Sequence, residues 1–230
     1  MGDYFSIERF LKLIPKIVPQ LSVTFAIVIV SMVIGTLLAL VVATLEIKKI
    51  PVLQQFLKVY VSYMRGTPLL VQMMVVYYGL PLLMQTIFKI DVNSWSPIVF
   101  VDIAFILNEG AFLGEIFRGA ILSIPIEQTE AGYSIGMTGI QTFVRIILPQ
   151  IIRSIIPAYG VDLIGVFYNT SLVFTIGGIL DIMGKAKVLG TATGHTLDGY
   201  VVAALIYVLI SLVLKIIFYR IDKKLVFERR

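Results

Sequence analysis

The chain has 230 residues, of which 58% are hydrophobic and only 14% are charged, and its mean hydropathy is +0.96. Soluble domains carry about a quarter charged residues, so this composition predicts an integral membrane protein. The net charge of +5 gives no indication of nucleic-acid binding, because Lys and Arg beside membrane helices normally set their orientation. With no Cys and a single His, the chain offers no disulfide and no histidine metal site, and His195 is expected in a loop.

The first eighteen residues mix apolar and basic side chains in an amphipathic pattern. Phe5 and Phe10 alternate with Arg9 and Lys12. This pattern predicts a helix within residues 1–18 that lies on the membrane face. A cleaved signal peptide is less consistent with the sequence, because the apolar run that follows is longer than a signal core.

Five apolar blocks follow, each long enough for a transmembrane helix. About 20 helical residues, rising about 1.5 Å each, cross a hydrocarbon core of about 30 Å, and the blocks are too long for barrel strands. We therefore predict an all-α integral membrane protein with a transmembrane domain at 19–221 and a basic tail at 222–230. The five predicted spans are 19–45, 69–84 (extending toward 88), 97–119, 149–182 and 200–219.

Proline and polar residues mark the connections between these spans. Pro68 is expected to start or kink the second span. The mixed stretch 52–64 is predicted to lie at the interface or to extend a helix beyond the bilayer. Residues 181–199, rich in Gly and Thr, are predicted to form a polar loop.

The third span contains more ionisable residues than a membrane helix normally tolerates. An acid at the bilayer centre costs several kcal/mol unless it faces protein or water. Asp102 and Glu109 are seven residues apart and therefore share a helix face, with Glu109 nearest the middle of the span. Glu115 and Arg118 are three residues apart and are expected to pair near the end of the span.

The fourth span carries a second polar row. Asp162 and Asn169 are again seven residues apart, and Thr170 and Ser171 follow directly. Two interpretations remain open from the residues alone. These side chains either line a polar pocket or form hydrogen bonds between helices, as is common in membranes.

A polar stretch at 126–149 separates the third span from the fourth. Glu127 and Glu130 are expected in the first turn of a short helix, where negative charge suits the positive helix end. Ala131 gives this helix an apolar position, and Gly136 is placed to end it or to turn the chain. A short helix of this kind in a membrane protein's loop is a shape that another protein can bind.

This stretch resembles the EAA loop of bacterial ATP-binding-cassette importer permeases. The family pattern is Glu-Ala-Ala, three residues, Gly, nine residues, Ile, one residue, Leu-Pro. Gly132 is the one departure, because the pattern has a second Ala there. Six positions match at fixed spacing, namely Glu130, Ala131, Gly136, Ile146, Leu148 and Pro149.

Other stretches resemble the polar amino acid uptake branch of that family. They are 65–72, which begins Arg-Gly-Thr-Pro, and 110–119, which ends Glu-x-x-Arg-Gly. Thr170 and Ser171 match the branch's Thr-Ser-Leu, whereas Asn169 stands where the branch usually has Asp. Glu109 is a further departure, since a Ser or similar residue is common at its position. The region from 182 to 200 resembles cystine-type permeases.

The resemblance implies a type I ABC importer permease fold, with five transmembrane helices and a cytoplasmic coupling helix. It implies an ATPase dimer, a second permease subunit, identical or different, and an external substrate-binding protein as partners. The chain lacks the Gly-rich phosphate-binding loop of ATPases, so it is expected to be no enzyme and to hold no cofactor. ATP and Mg²⁺ are expected in the partner ATPase. The residues expected to contact that ATPase are Glu127, Glu130, Ala131, Gly132 and Gly136.

The predicted function is therefore that of a permease subunit in an ATP-driven importer of polar amino acids, with cystine or a cationic amino acid favoured. Glu109 is expected to attract an ammonium or guanidinium group, and Asp102 and Asp162 are expected at the periphery of the path. The path residues predicted beside Glu109 are Asn169, Thr170 and Ser171.

The distribution of Lys and Arg orients the chain in a bacterial cytoplasmic membrane. The loop at 126–149 and the C-terminus are expected in the cytoplasm and the N-terminus outside. An alternative is an ion-coupled secondary transporter in which Asp102, Glu109 and Asp162 relay protons. A structural subunit, a third possibility, would tolerate neutral residues at these three positions.

Overall fold

A computed structural model describes residues 5–227, with side chains through residue 225, so 1–4 and 228–230 of the predicted terminal segments lie outside the described residues. All regular elements in the described part are helical. Short 3-10 segments occupy Val18–Gln20 and Thr170–Thr175, and π segments occupy Met84–Phe88 and Phe143–Ile147. The α-helices are α1 (Ile7–Ile17), α2 (Leu21–Lys48), α3 (Pro51–Gly66), α4 (Leu69–Leu83), α5 (Pro97–Leu122), α6 (Ile126–Ser134), α7 (Gly139–Thr142), α8 (Leu148–Asn169), α9 (Ile182–Thr193) and α10 (Thr196–Phe227).

Five helical stretches within the described residues are long and apolar enough to cross a membrane, which confirms the predicted number of spans. The second and third begin directly after Pro68 and at Pro97, where a proline ring suits the first turn of a helix. The five stretches are Ile7–Lys48, Leu69–Phe88, Pro97–Leu122, Gly139–Thr175 and Thr196–Leu225.

Helices α2 and α5 make the most extensive helix–helix contact in the described chain. Small residues allow this close approach. A Cβ atom added to Gly35 would lie 2.6 Å from Glu109 Cβ, and one added to Gly110 would lie 2.5 Å from Leu38 Cδ2. Gly114 lies one turn beyond Gly110 and faces α2 in the same way. We call this contact the α2–α5 seam. Between membrane helices, such small-residue contacts provide much of the packing.

A pair of buried amides holds the break between α3 and α4. Pro68 prevents one continuous helix, so backbone carbonyls near the break lose their helical partners. Gln72 Nε2 donates to the carbonyl oxygens of Met64 at 2.8 Å and Thr67 at 3.0 Å. Asn108 of α5 then donates to Gln72 Oε1 at 2.8 Å. The break is therefore stable because side chains replace the missing backbone bonds.

The prediction of one helix from 149 to 182 is wrong, because α8 ends at Asn169. Thr170 Oγ1 donates to the carbonyl oxygen of Phe167 at 2.7 Å and lies 3.2 Å from Tyr207 Oη on α10. Tyr207 Oη in turn donates to Asp181 Oδ2 at 3.4 Å. Hydroxyl side chains that bond to nearby backbone carbonyls compete with the regular helical ladder, which explains the change to a 3-10 segment.

The predicted loop at 181–199 is also wrong over most of its length, because α9 lies within it. Asp181 is the N-cap of α9 and accepts hydrogen bonds from the backbone N–H groups of Gly184 at 2.8 Å and Met183 at 3.2 Å. An Asp in this position satisfies two otherwise free donors at the helix start. His195 lies in the short connection between α9 and α10, as predicted.

Helix α1 is anchored to the start of α10 by a partly buried ion pair. Arg9 Nε lies 2.6 Å from Asp198 Oδ2, and the backbone N–H of Ser6 donates to Asp198 Oδ1 at 3.1 Å. The Asp198 side chain is fully buried. Leu13 and Ile17 are buried on the same helix, so α1 is amphipathic as its sequence pattern predicts.

The amide pair at the α3–α4 break yields a stability prediction. Gln72→Leu removes the donors to two carbonyls and the acceptor for Asn108, and unpaired buried polar groups cost about 1–3 kcal/mol each. We expect Gln72→Leu to unfold in detergent at a lower thermal midpoint than the parent protein. Circular dichroism measures this midpoint. Gln85→Leu is the matched control, because Gln85 is exposed. Equal midpoints for the two variants would contradict the role given to Gln72.

Candidate functional site

Two carboxyl groups meet in the middle of the helical bundle. Glu109 on α5 is only 2% exposed, and its carboxyl group lies close to that of Asp162 on α8. Glu109 Oε2 and Asp162 Oδ2 are buried and have no hydrogen-bond partner within the described residues. No described Lys, Arg or His forms a salt bridge with either group. We call these two groups the carboxyl pair.

Helix α2 provides the third side of this site. Gly35 lies directly against Glu109, and no larger residue fits there without displacing the glutamate. Next to Gly35, Thr36 Oγ1 lies 3.1 Å from the hydroxyl of Tyr159, which is on α8 three residues before Asp162. Sequence reasoning missed Gly35. The available signal was a single glycine inside an apolar span, which often marks a close approach between helices.

Two further predicted path residues, Asp102 and Asn169, lie on the same two helices as the pair. Helices α5 and α8 flank the same loop and run in opposite directions. Asp102 and Asn169 are each seven residues from the pair, about 10 Å along their helices, on the side away from that loop. Asp102 Oδ1 is buried and has no hydrogen-bond partner. Asp162, expected at the periphery, is instead the direct neighbour of Glu109, because the register between α5 and α8 sets this contact.

The structure does not bring Thr170 to the pair. Its side chain is fully buried, and its hydroxyl donates to the carbonyl oxygen of Phe167 and contacts Tyr207 Oη of α10 at 3.2 Å, which is the interhelical alternative left open by the sequence. Ser171 is partly buried in the 3-10 segment that follows α8. Of the predicted path residues, the structure therefore brings Glu109 and Asp162 together and gives Thr170 a structural contact.

The loop between α5 and α8 forms a separate surface. Glu127 lies in the first turn of α6, Glu130 one turn later, and both are exposed. Gly136 has a φ of +80°, a conformation that favours glycine, and ends this turn of chain as predicted. Exposed apolar residues surround α6, and we call them the loop surface: Ile126, Tyr133, Ile135, Ile140 and Phe143. A cluster of exposed apolar residues is typical of a protein-binding site.

Gly132, the departure from the family pattern, is explained by its neighbour Thr142. Gly132 is buried, and a Cβ atom there would lie 2.5 Å from Thr142 Cγ2 and 2.7 Å from Thr142 Oγ1. The Thr142 side chain is fully buried and its hydroxyl has no hydrogen-bond partner. The threonine thus fills the space that a second alanine methyl would occupy, and α6 packs on α7 through this contact.

Gly35→Ala tests the packing around Glu109. The added methyl overlaps Glu109 Cβ, and overpacking of this kind costs about 1–3 kcal/mol. We expect a lower thermal midpoint for Gly35→Ala in detergent. The control is Gly79→Ala, because the nearest atom to a Cβ there is Val75 Cγ1 at 4.0 Å, an ordinary contact. A Gly35→Ala midpoint at or above that of Gly79→Ala would refute the close contact.

The contact between Gly132 and Thr142 can be tested by substituting each residue alone and both together. Gly132→Ala should destabilise the packing of α6 on α7 by about 1–3 kcal/mol, because its methyl meets the Thr142 side chain. Thr142→Ala removes both the clash and an unpaired hydroxyl, so the double variant should recover most of the loss. Hydrogen exchange of the α6 amides measures the effect. Additive losses in the double variant would count against direct packing.

Comparison with known proteins agrees with this arrangement. Residues 35–227 match the family described as binding-protein-dependent transport system inner membrane component. The L-cystine transport system permease protein TcyL of Bacillus subtilis is 34% identical over 224 residues, covering 97% of this chain and 92% of TcyL. The arginine transport system permease protein ArtQ of Bacillus subtilis is 36% identical over 215 residues, covering 92% of this chain and 93% of ArtQ.

A solved structure shows the same fold. The crystal structure of an amino acid ABC transporter with histidines has a TM-score of 0.83 to this chain at 26% identity, covering 96% of this chain and 99% of its own. These similarities favour the permease interpretation over an ion-coupled secondary transporter. The chain therefore belongs to the family of binding-protein-dependent transport system inner membrane components, the permease subunits of ABC importers.

Proposed function

We propose that this permease subunit carries amino acids through an ATP-driven importer and that the carboxyl pair binds the cationic group of the substrate. The observation that carries the proposal is the pair itself. Glu109 is buried and Asp162 is partly buried, their carboxyl groups lie close together, and each has one buried oxygen atom without a hydrogen-bond partner among the described residues.

Electrostatics favours a cation at this position. A carboxylate in the membrane interior is costly unless a cation or hydrogen-bond donors compensate its charge. Here two carboxyl groups lie together, so an incoming ammonium or guanidinium group can lower the energy of both. A substrate without a positive group gains nothing from this site, which gives the pair a role in selectivity.

The named relatives support an amino acid as the substrate. The relatives transport L-cystine and arginine, and both molecules carry α-ammonium groups. Arginine adds a guanidinium group, which forms paired hydrogen bonds with carboxylates. Asp102 and Asn169 extend the polar row beyond the pair and are proposed to contact the substrate during passage. A cationic amino acid or cystine fits this row.

The loop surface is proposed to bind the ATPase. Glu127, Glu130, Ala131 and Gly136 are exposed on α6 or at its end, beside exposed apolar residues that a partner would cover. Gly132, expected to contact the ATPase as well, is instead buried against Thr142 and supports the packing of α6. ATP and Mg²⁺ would be bound in an ATPase dimer, whose closure moves α6 and shifts the permease between its two open states. This assignment rests on the match to the coupling loop of the family.

The proposed assembly contains a second permease subunit, identical or different, and an external substrate-binding protein. We propose that it lies in a bacterial cytoplasmic membrane. The loop surface and the C-terminus are placed in the cytoplasm and the N-terminus outside, following the distribution of Lys and Arg.

The test is uptake by proteoliposomes that contain the permease with its ATPase and binding protein. We expect ATP-dependent uptake of labelled arginine or cystine. Glu109→Gln and Asp162→Asn should each reduce uptake about tenfold or more, because truncating a buried charge contact costs about 2–5 kcal/mol. Asp91→Asn, in the exposed loop between α4 and α5, is the control and should transport normally.

Glu130→Arg completes the experiment. It reverses the charge on α6 and should reduce co-purification of the ATPase without changing the thermal midpoint of the permease. Uptake that persists without ATP, or normal uptake by both carboxyl variants, would contradict the proposal. A loss that is equally large in Asp91→Asn would show that the effect is not specific to the pair.

A further inference from the structure

A basic cavity lies at the end of the bundle that carries the loop surface. Its volume is about 420 Å³, and α2, α3 and α5 form its walls. Leu122, the last residue of α5, is part of its lining, and only residues 123–125 separate it from α6. The charged lining has an excess of two positive charges over the acidic groups and consists of Lys49, Lys58, Arg65, Arg118, Glu46 and Glu115.

The ion pairs inside the cavity leave this excess charge on the lysines. Arg118 Nε lies 3.4 Å from Glu46 Oε2, and Arg118 also donates to Glu115 at 2.9 and 2.8 Å. Arg65 Nη1 lies 3.5 Å from Glu115 Oε2. The two arginines therefore offset the charge of the two glutamates.

The two lysines are exposed and line the same cavity. Lys58 interacts electrostatically with Glu46, but no salt bridge joins them, and Lys49 forms none within the described residues. Lys49 is the C-cap of α2, where the chain turns into α3. Two ammonium groups from neighbouring helices are thus available to a single anionic group.

The cavity continues into an open groove along α3. Lys58 and Ser62 line both the cavity and the groove. The groove residues are three, four, seven and eight positions from the first, so they share one face of the helix. All of them are exposed, and we call them the α3 face: Gln55, Lys58, Val59, Ser62 and Tyr63.

The α3 face extends from the end of the bundle toward its middle. Helix α3 begins at Pro51, directly after the turn from α2. Further along, Tyr60 Oη donates at 2.6 Å to the carbonyl oxygen of Leu107, which is two residues before Glu109. Residues 55–63 cover about 12 Å of this distance. The α3 face therefore runs from the depth of lipid headgroups toward the depth of acyl chains.

We propose that the cavity and the α3 face together bind one anionic phospholipid. Its phosphate group contacts Lys49 and Lys58, and an acyl chain lies along Val59 and Tyr63. Basic pockets between membrane helices bind anionic headgroups in this way at the cytoplasmic side. Phosphatidylglycerol fits the excess positive charge, whereas phosphatidylethanolamine would bring a further ammonium group to the lysines. The assignment to the cytoplasmic leaflet rests on the orientation in the proposed function.

Native mass spectrometry of permease released from nanodiscs with equal amounts of the two lipids tests the headgroup contact. The parent protein should retain phosphatidylglycerol in preference to phosphatidylethanolamine. Lys49→Gln/Lys58→Gln should reduce retained phosphatidylglycerol about tenfold or more, because each lysine near an anionic headgroup favours binding. The matched control is Lys223→Gln/Lys224→Gln, which removes two exposed lysines from α10, a helix outside the cavity lining, and should retain lipid as the parent does.

A second pair of variants tests the acyl-chain contact. Val59→Ser/Tyr63→Ser should also lower the retention of phosphatidylglycerol. Val75→Ser/Tyr78→Ser is the control, because these two residues are equally apolar and exposed but lie on α4. In detergent, calorimetry should show that a short-chain phosphatidylglycerol binds about tenfold or more tightly than glycerol 3-phosphate, since only the lipid buries apolar surface.

Equal retention of the two lipids by the parent would overturn the proposal, as would equal losses in the α3 and α10 lysine variants, which would indicate net charge alone. Equal affinity for glycerol 3-phosphate would reduce the site to a phosphate site and reject the lipid. The same spectra report subunit number, so loss of a second permease copy from the α3-face variant, with lipid unchanged, would assign this face to a subunit contact instead.

These measurements need neither ATPase nor substrate, and they do not depend on orientation, because both leaflets of a nanodisc contain the same lipids. Lipid retention should be the same in Glu109→Gln as in the parent. Failure of the carboxyl pair in the uptake experiment would therefore leave the lipid site intact, and loss of the lipid site would leave the role of the carboxyl pair to be decided by uptake.

Discussion

The close contact between α2 and α5 is the constraint on which the polar sites depend. Lipid tails are as apolar as leucine, so no hydrophobic force drives these helices together, and close packing of small residues takes its place. Gly35, Gly110 and Gly114 provide that packing. The seam fixes the position of Glu109 along α5, and at its far end it brings Glu46 of α2 to Arg118 of α5. A bulkier residue in the seam would therefore disturb both the position of Glu109 and the ion pair between Glu46 and Arg118.

Polar side chains within the bundle fall into two groups. Gln72 and Asn108 satisfy each other and the backbone at a helix break, so they complete the architecture. Glu109 and Asp162, in contrast, each keep a buried oxygen atom without a hydrogen-bond partner within the described residues. Because an unsatisfied buried polar group is costly, two such carboxyl groups side by side require a reason beyond packing. The difference separates residues that stabilise the fold from residues that are available to a ligand.

The sequence predicts the features that depend on neighbouring residues in the chain or on the apolar membrane environment. Apolar block length predicts the five spans, Pro68 predicts the break before α4, and the spacing of Glu115 and Arg118 predicts their ion pair. It does not predict that Asp162 meets Glu109, because the register between helices depends on side-chain packing across many contacts. The helix α9 was also missed. Its composition is rich in Gly and Thr, and tertiary contacts with α10 stabilise it.

The short connection between α5 and α6 has a mechanical consequence. Only residues 123–125 separate the two helices, and the part of α5 from Glu109 to Leu122 is a rod about 20 Å long. Tilting such a rod by about 3° moves its far end by about 1 Å, enough to take a hydrogen bond out of range. Asp162 lies on α8, which follows the same loop in the chain. A tilt of α5 or α8 at its loop end therefore moves the carboxyl group that the helix carries. A displacement of α6 too small to change the fold is thus large enough to make or break the contact between them.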